Sequence, residues 1–152
     1  MPEVAIIMGS ASDAPYMEEA ERVLSDFGIS YEVRVLSAHR NPEAVREYGM
    51  KAKERGIKVM IAGAGRAAHL PGVLASWTSI PVIGVAIPSG EFGALDALLS
   101  IVQMPAGVPV ACAGVGRAGA RNAGLLAASI LGLANEEIFR RYEDFRRKLS
   151  EI

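Results

Sequence analysis

The chain has 152 residues, of which 51% are hydrophobic, 22% charged and 6% aromatic, with 16 glycines and a net charge of −1. This is the size and make-up of one globular domain with a sizeable core, and the near-neutral balance excludes the charge signature of a nucleic-acid or anionic-membrane partner. One cysteine excludes an internal disulfide framework, and with two scattered histidines it makes a poor ligand set, which discourages a zinc site.

The first element is VAIIMGS, a continuous apolar run that breaks into Gly9 and Ser10. It has no basic segment before it, and no apolar run in the chain approaches a membrane span, so the cytoplasm is the expected compartment. A helix follows, with Met17, Ala20, Val23, Leu24 and Phe27 on one stripe and Gly28 as its stop. YEVRVLS is the second strand and PEAVREYGMKAKERG its helix. KVMIAGAG is an apolar third strand running into glycines, followed by the short helix HLPGVLASW. PVIGVAI, helical GALDALLSIVQ, strand VPVACAG and the alanine-rich helix AGARNAGLLAASILG come next.

The last element, about 136–151, is a charged amphipathic helix with Ile138, Phe139, Tyr142, Phe145 and Leu149 in a stripe. That stripe is expected to bury on its own domain or on a neighbouring subunit. No linker, low-complexity tract or repeat longer than a βα unit divides residues 1–152, so a single domain is expected.

Short strands, apolar on both faces and separated by helices, predict a parallel sheet covered on both sides. Five strands suggest a flavodoxin-like α/β/α sandwich with strand order 2-1-3-4-5. Ligands in such sheets bind beyond the C-terminal strand ends, at the switch point between strands 1 and 3. The loops after strands 1, 2 and 3 would then be neighbours. They read MGSASDAP, LSAHRNP and GAGRAAHLPG, and both histidines of the chain lie in them.

Each loop admits two readings. Gly9, Ser10, Ser12 and the helix start suit a phosphate, and Asp13 suits sugar hydroxyls; alternatively Ser12 or Asp13 simply caps the helix. Arg40 is a planar fork for phosphate or carboxylate, and His39 is of the side-chain type suited both to give and to take a proton in one cycle. Their bland counterparts are a solvated arginine and a loop histidine bonded to backbone. Gly63 and Gly65 allow close approach to a ligand, and His69 opens a short helix whose amides face the site or is a structural residue there. Arg66 stands among small residues as a charge at the mouth or at a subunit contact. GVGRAG (Gly114–Gly119) has the spacing of a dinucleotide loop, but no strand follows to supply the acidic ribose ligand, so close helix–strand packing explains it better.

Together MGSASD, SAHRNP, GAGRAAHLPG, LDALLSIVQMPAGVPV and NAGLLAASIL resemble the PurE family of purine biosynthesis, over nearly the whole chain. The resemblance is to class I members, the N5-carboxyaminoimidazole ribonucleotide mutases. It implies a homo-octamer, a small ribonucleotide substrate, no metal and no cofactor. The implied reaction moves a carboxylate from the exocyclic nitrogen to ring carbon C4 through transiently held CO2. By residue match, His39 is the implied general acid/base, and Ser10, Asp13 and Arg40 are implied substrate contacts. Ser12 and Ser37 lie in the same loops, and Ala64, Gly65 and His69 match the third.

The chain departs from the family pattern at Asn41, where threonine is usual, in the segment IPSGEFGALDAL, and at Arg66, where glycine is usual. Class II relatives, which carboxylate aminoimidazole ribonucleotide with free CO2, carry an arginine in the third loop. That carboxylase is the alternative, and a non-catalytic flavodoxin-like binding module is the remote one.

Overall fold

The computed structural model describes residues 1–151. Five strands, β1 (Val4–Met8), β2 (Tyr31–Val35), β3 (Val59–Gly65), β4 (Val82–Ile87) and β5 (Ala111–Val115), form one parallel sheet of order 2-1-3-4-5, as the alternating pattern predicts. The helices are α1 (Ala14–Asp26), α2 (Pro42–Lys51), α3 (Leu70–Trp77), α4 (Leu95–Val102), α5 (Gly116–Gly132) and α6 (Glu136–Ser150).

β1 shows why its sequence lacks alternation. Val4, Ile6 and Met8 join the core under α1, α5 and α6, while Ala5 and Ile7 join the core under α2, α3 and α4. Successive side chains point to opposite faces, and both faces are covered. The alanines of α5 let it approach α1 closely. Ala120, Ala123, Ala127 and Ala128 are fully buried, and a Cβ on Gly124 would lie 3.0 Å from Val23 Cβ.

Three features differ from the sequence expectation. The edge strands are not covered on both faces: Val33 and Val35 of β2 remain 37% and 51% exposed. A strand with one neighbour and a short covering helix keeps an open side. β5 begins at Ala111 instead of near Val108, because Pro109 has no N–H to give the ladder. α2 ends at Lys51, and turns fill 52–56 up to Gly56, whose φ of +88° closes them.

α6 starts at a well-made cap, with Asn135 Oδ1 accepting from the N–H groups of Glu137 and Ile138 at 3.1 and 3.2 Å. Ile138 is buried, and Tyr142 and Phe145 meet Phe27 edge-on at 6.3 and 6.1 Å between ring centroids. Phe139 and Leu149 stay on the outside. Trp77 closes the end of α3, with its Cβ 2.8 Å from where a Cβ on Gly49 would stand and the Arg46 guanidinium 5.0 Å over its ring.

The GVGRAG segment is a packing device. Gly114 sits at φ +131°, and a Cβ on Gly119 would lie 2.4 Å from the Gly114 carbonyl carbon. The glycines bring the start of α5 onto the end of β5.

Candidate active site

Strand register brings the first three loops together. Met8, the last residue of β1, pairs with Val35 on one side and Gly63 on the other. Two hydrogen bonds continue the sheet past that level: Leu36 N–H donates to the Met8 carbonyl at 2.9 Å, and Gly9 N–H donates to the Gly63 carbonyl at 3.2 Å. The loops that follow line one cleft of about 510 Å³. Its walls include Ser10, Ser12, Asp13, Ser37, His39, Arg40, Ala64, Gly65 and His69, every site residue expected from the sequence.

In the first loop the capping residue is Ser10, and not Ser12 or Asp13. Its backbone is extended, its Oγ accepts from Ser12 N–H at 3.3 Å, and the two hydroxyls lie 2.9 Å apart. This closes a single 3-10 turn before α1. Asp13 then precedes α1 with no side-chain cap bond, although it is only 8% exposed. Burial pushes its carboxyl above the usual range, against the opposing pull of the Ser10 backbone and the Arg40 charge. An acid held there without a capping role is free to meet a ligand.

The second loop is tied internally and to the first. Buried Ser37 accepts through Oγ from Arg40 N–H at 3.1 Å and Arg40 Nε at 3.2 Å. Arg40 Nη2 donates to the Gly9 carbonyl at 2.9 Å, so the arginine spans both loops. Asn41 closes the turn, its Oδ1 accepting from Ser37 N–H at 3.2 Å and its own N–H donating to the Ser37 carbonyl at 2.8 Å. The base of the loop is fixed where β2 meets α2. Glu32 on β2 accepts from Tyr48 OH on α2 at 2.7 Å and from Arg55. Partial burial alone would push the Glu32 carboxyl up, but these hydrogen bonds and the arginine charges hold it below its usual range.

His39 stands at the tip of this loop, exposed to the cleft. Its Nε2 lies 2.8 Å from His69 Nδ1, and the rings meet nearly edge-on at 79°. One ring donates and the other accepts, so each fixes the orientation of the other. His69 sits at the start of α3 without capping it.

The third loop explains Arg66. It has φ +54°, and it is the one non-glycine residue at positive φ among the described residues. Glycine adopts this conformation freely, whereas an L side chain there costs about 1–2 kcal/mol. The two glycines before it serve the protein more than a ligand. A Cβ on Gly63 would strike Met17 Sδ at 2.4 Å, and one on Gly65 would lie 3.1 Å from the Ile87 carbonyl oxygen and Ser89 Cβ.

Ser89, in the loop after β4, also lines the cleft and was not anticipated. Its signal was available: β4 neighbours β3, and its loop opens with Pro-Ser-Gly. The Gly9 carbonyl, to which Arg40 binds, left no trace in side-chain patterns. Among the described residues, no group of three or more His, Cys, Asp or Glu side chains could hold a metal ion, and no helix is long and apolar enough to cross a membrane.

The family model described as AIR carboxylase matches residues 3–151. A Saccharolobus solfataricus protein named N5-carboxyaminoimidazole ribonucleotide mutase is 58% identical over 145 residues, 95% of this chain and 90% of its own length. A Vibrio parahaemolyticus protein of the same name is 54% identical over 149 residues, 98% of this chain and 92% of its own. Among solved structures, Treponema denticola PurE superposes with a TM-score of 0.88 at 32% identity, covering 99% of this chain and 93% of that one.

Proposed function

The chain belongs to the AIR carboxylase family, and on that footing we propose that it is an N5-carboxyaminoimidazole ribonucleotide mutase of purine biosynthesis whose proton carrier is His39. The observation that carries this reading is the meeting of His39, Ser10, Asp13 and Arg40 in one cleft of a chain 54–58% identical to relatives bearing that name. In the proposed reaction the bond between the exocyclic nitrogen and its carboxylate breaks, releasing CO2 and leaving the electron pair on nitrogen. His39 supplies the proton that nitrogen gains. Ring carbon C4 attacks the retained CO2, forming the new carbon–carbon bond, and His39 takes the proton that C4 loses. Protons and electrons balance over the cycle, so an isomerisation of this kind calls on no oxidant or cofactor. The remaining demand is to keep CO2 against the ring, a problem of proximity that the close-packed third loop suits.

The test compares two substrates. The purified protein is expected to convert the N5-carboxy nucleotide without added bicarbonate. Product formed only from aminoimidazole ribonucleotide and CO2 would instead favour the carboxylase reading, which the arginine at position 66 suggests.

Asp13 supports the substrate-contact reading from a different side. Its folded pKa is raised, so its contribution to stability is fully present below the ordinary carboxylate value of about 3.9 and is lost as pH rises through the folded value. Asp13→Asn removes the buried charge. Its melting temperature at pH 7 is expected to equal or exceed the parent's, with the difference closing toward about pH 3, while kcat/KM falls by about 10-fold or more. A variant that loses stability and keeps activity contradicts this assignment.

We also assign a homo-octamer in the cytoplasm. Leu95, Leu99 and Val102 form a stripe on α4, and with Phe92 they are 46–75% exposed, an apolar face suited to burial in an assembly. Light scattering should give the mass of eight chains, and a one-chain mass refutes the assembly. Cell fractionation tests the compartment.

A further inference from the structure

Arg66 is a cation in the cleft with no hydrogen bond or ion pair within its own chain among the described residues. Arg40 differs: its Nε and Nη2 are already committed to Ser37 and Gly9. Arg66 is also held in a particular place. Its backbone is left-handed at φ +54°, and its guanidinium lies over Gly90, where a Cβ would stand 3.3 Å from Cζ and 3.4 Å from Nε. Gly90 therefore leaves the room that the fork occupies, beside Ser89 on the cleft wall. A strained backbone that carries an unpaired fork at the mouth of a site points to a ligand for that fork.

We propose that Arg66 is a substrate-anchoring residue that binds an anionic oxygen of the nucleotide, on its migrating carboxylate or its 5′-phosphate. This rests on the mutase reading above. The substrate carries both anions, and the cleft offers two guanidinium groups, one of them largely tied to protein. Arg66 supplies the uncommitted donors. A planar fork matches either group through paired N–H···O bonds, and lysine reproduces its charge without that geometry.

The test uses Arg66→Asn, which keeps a residue tolerant of left-handed backbone, Arg66→Gly, which relieves the strain, and Arg66→Lys. Calorimetry with the parent and each variant measures binding of the carboxylated product nucleotide and of aminoimidazole ribonucleotide, which lacks the carboxylate. Steady-state kinetics accompany it. Arg66→Asn and Arg66→Gly are expected to weaken the carboxylated nucleotide about 10-fold or more, with Arg66→Lys between them and the parent. Loss confined to the carboxylated nucleotide assigns Arg66 to the carboxylate, and equal loss for both assigns it to the phosphate. Either supports the proposal. Affinities within about two-fold of a parent that turns over overturn it, and a parent that neither binds nor turns over fails the mutase reading itself. Thermal melts of the glycine variant at or above the parent's separate a binding effect from misfolding.

Discussion

His39→Asn is expected to lower turnover by about 10³-fold while leaving nucleotide affinity within a few-fold. General acid–base catalysis by a placed side chain is worth about 10²–10⁴-fold, and in the proposed cycle the same imidazole serves two proton transfers. Asparagine keeps a polar group of similar reach at the loop tip but cannot carry a proton. The proposed binding groups are elsewhere: Ser10 and Asp13 before α1, and Arg40 tied to Ser37 and Gly9. His39 is exposed, and the loop is closed by Asn41 and Ser37, so the fold does not depend on its ring. The check is a paired measurement of kcat and of nucleotide binding. Parental turnover in the variant removes His39 from the chemistry. A loss of affinity as large as the loss of rate would make it a binding residue instead.

Gly119→Ala is expected to be the most destabilising single methyl addition near the end of the sheet. The new carbon would lie 2.4 Å from the Gly114 carbonyl carbon and 2.5 Å from its oxygen. Both are backbone atoms, so no rotamer change relieves the clash. Gly114 itself occupies φ +131°, which other residues rarely adopt, and it cannot easily shift. Relief requires moving the start of α5 away from β5, which opens the seam where Ala120 and Ala123 are fully buried. A cost of about 3 kcal/mol or more follows, a fall in melting temperature of roughly 6–12 °C for a chain of this size. Arg117→Ala in the same segment, at an exposed position, should move it far less. If Gly119→Ala melts with the parent and loses a nucleotide ligand instead, the segment is a binding loop after all.

The alternation of apolar runs with helical stripes was enough to identify five parallel strands, because a central buried strand carries residues for both cores, as Ile6 and Ile7 do, and their order followed from the doubly wound topology such units favour. The three polar loops were legible for the same reason: strand order alone makes them neighbours. What remained hidden depends on backbone geometry. No side-chain pattern tells which of Ser10, Ser12 and Asp13 caps the first turn, since all three are capping types and only the extended backbone of Ser10 selects it. Arg66 looked like an anomaly because its left-handed φ is invisible in the letters. β5 started late because one missing N–H outweighs a favourable apolar run, and β2 kept an open side because exposure at an edge depends on what lies beyond it.

The bond from Arg40 to the Gly9 carbonyl, with Ser37 behind it, also bears on the thermodynamics of ligand capture. These loops lose their conformational freedom when the chain folds, before any ligand arrives. An incoming nucleotide then orders its own torsions and little of the protein, and the ordering penalty stays out of the binding constant. The heat-capacity change on binding is accordingly expected to reflect mainly the apolar surface the ligand covers, a result calorimetry at several temperatures would check.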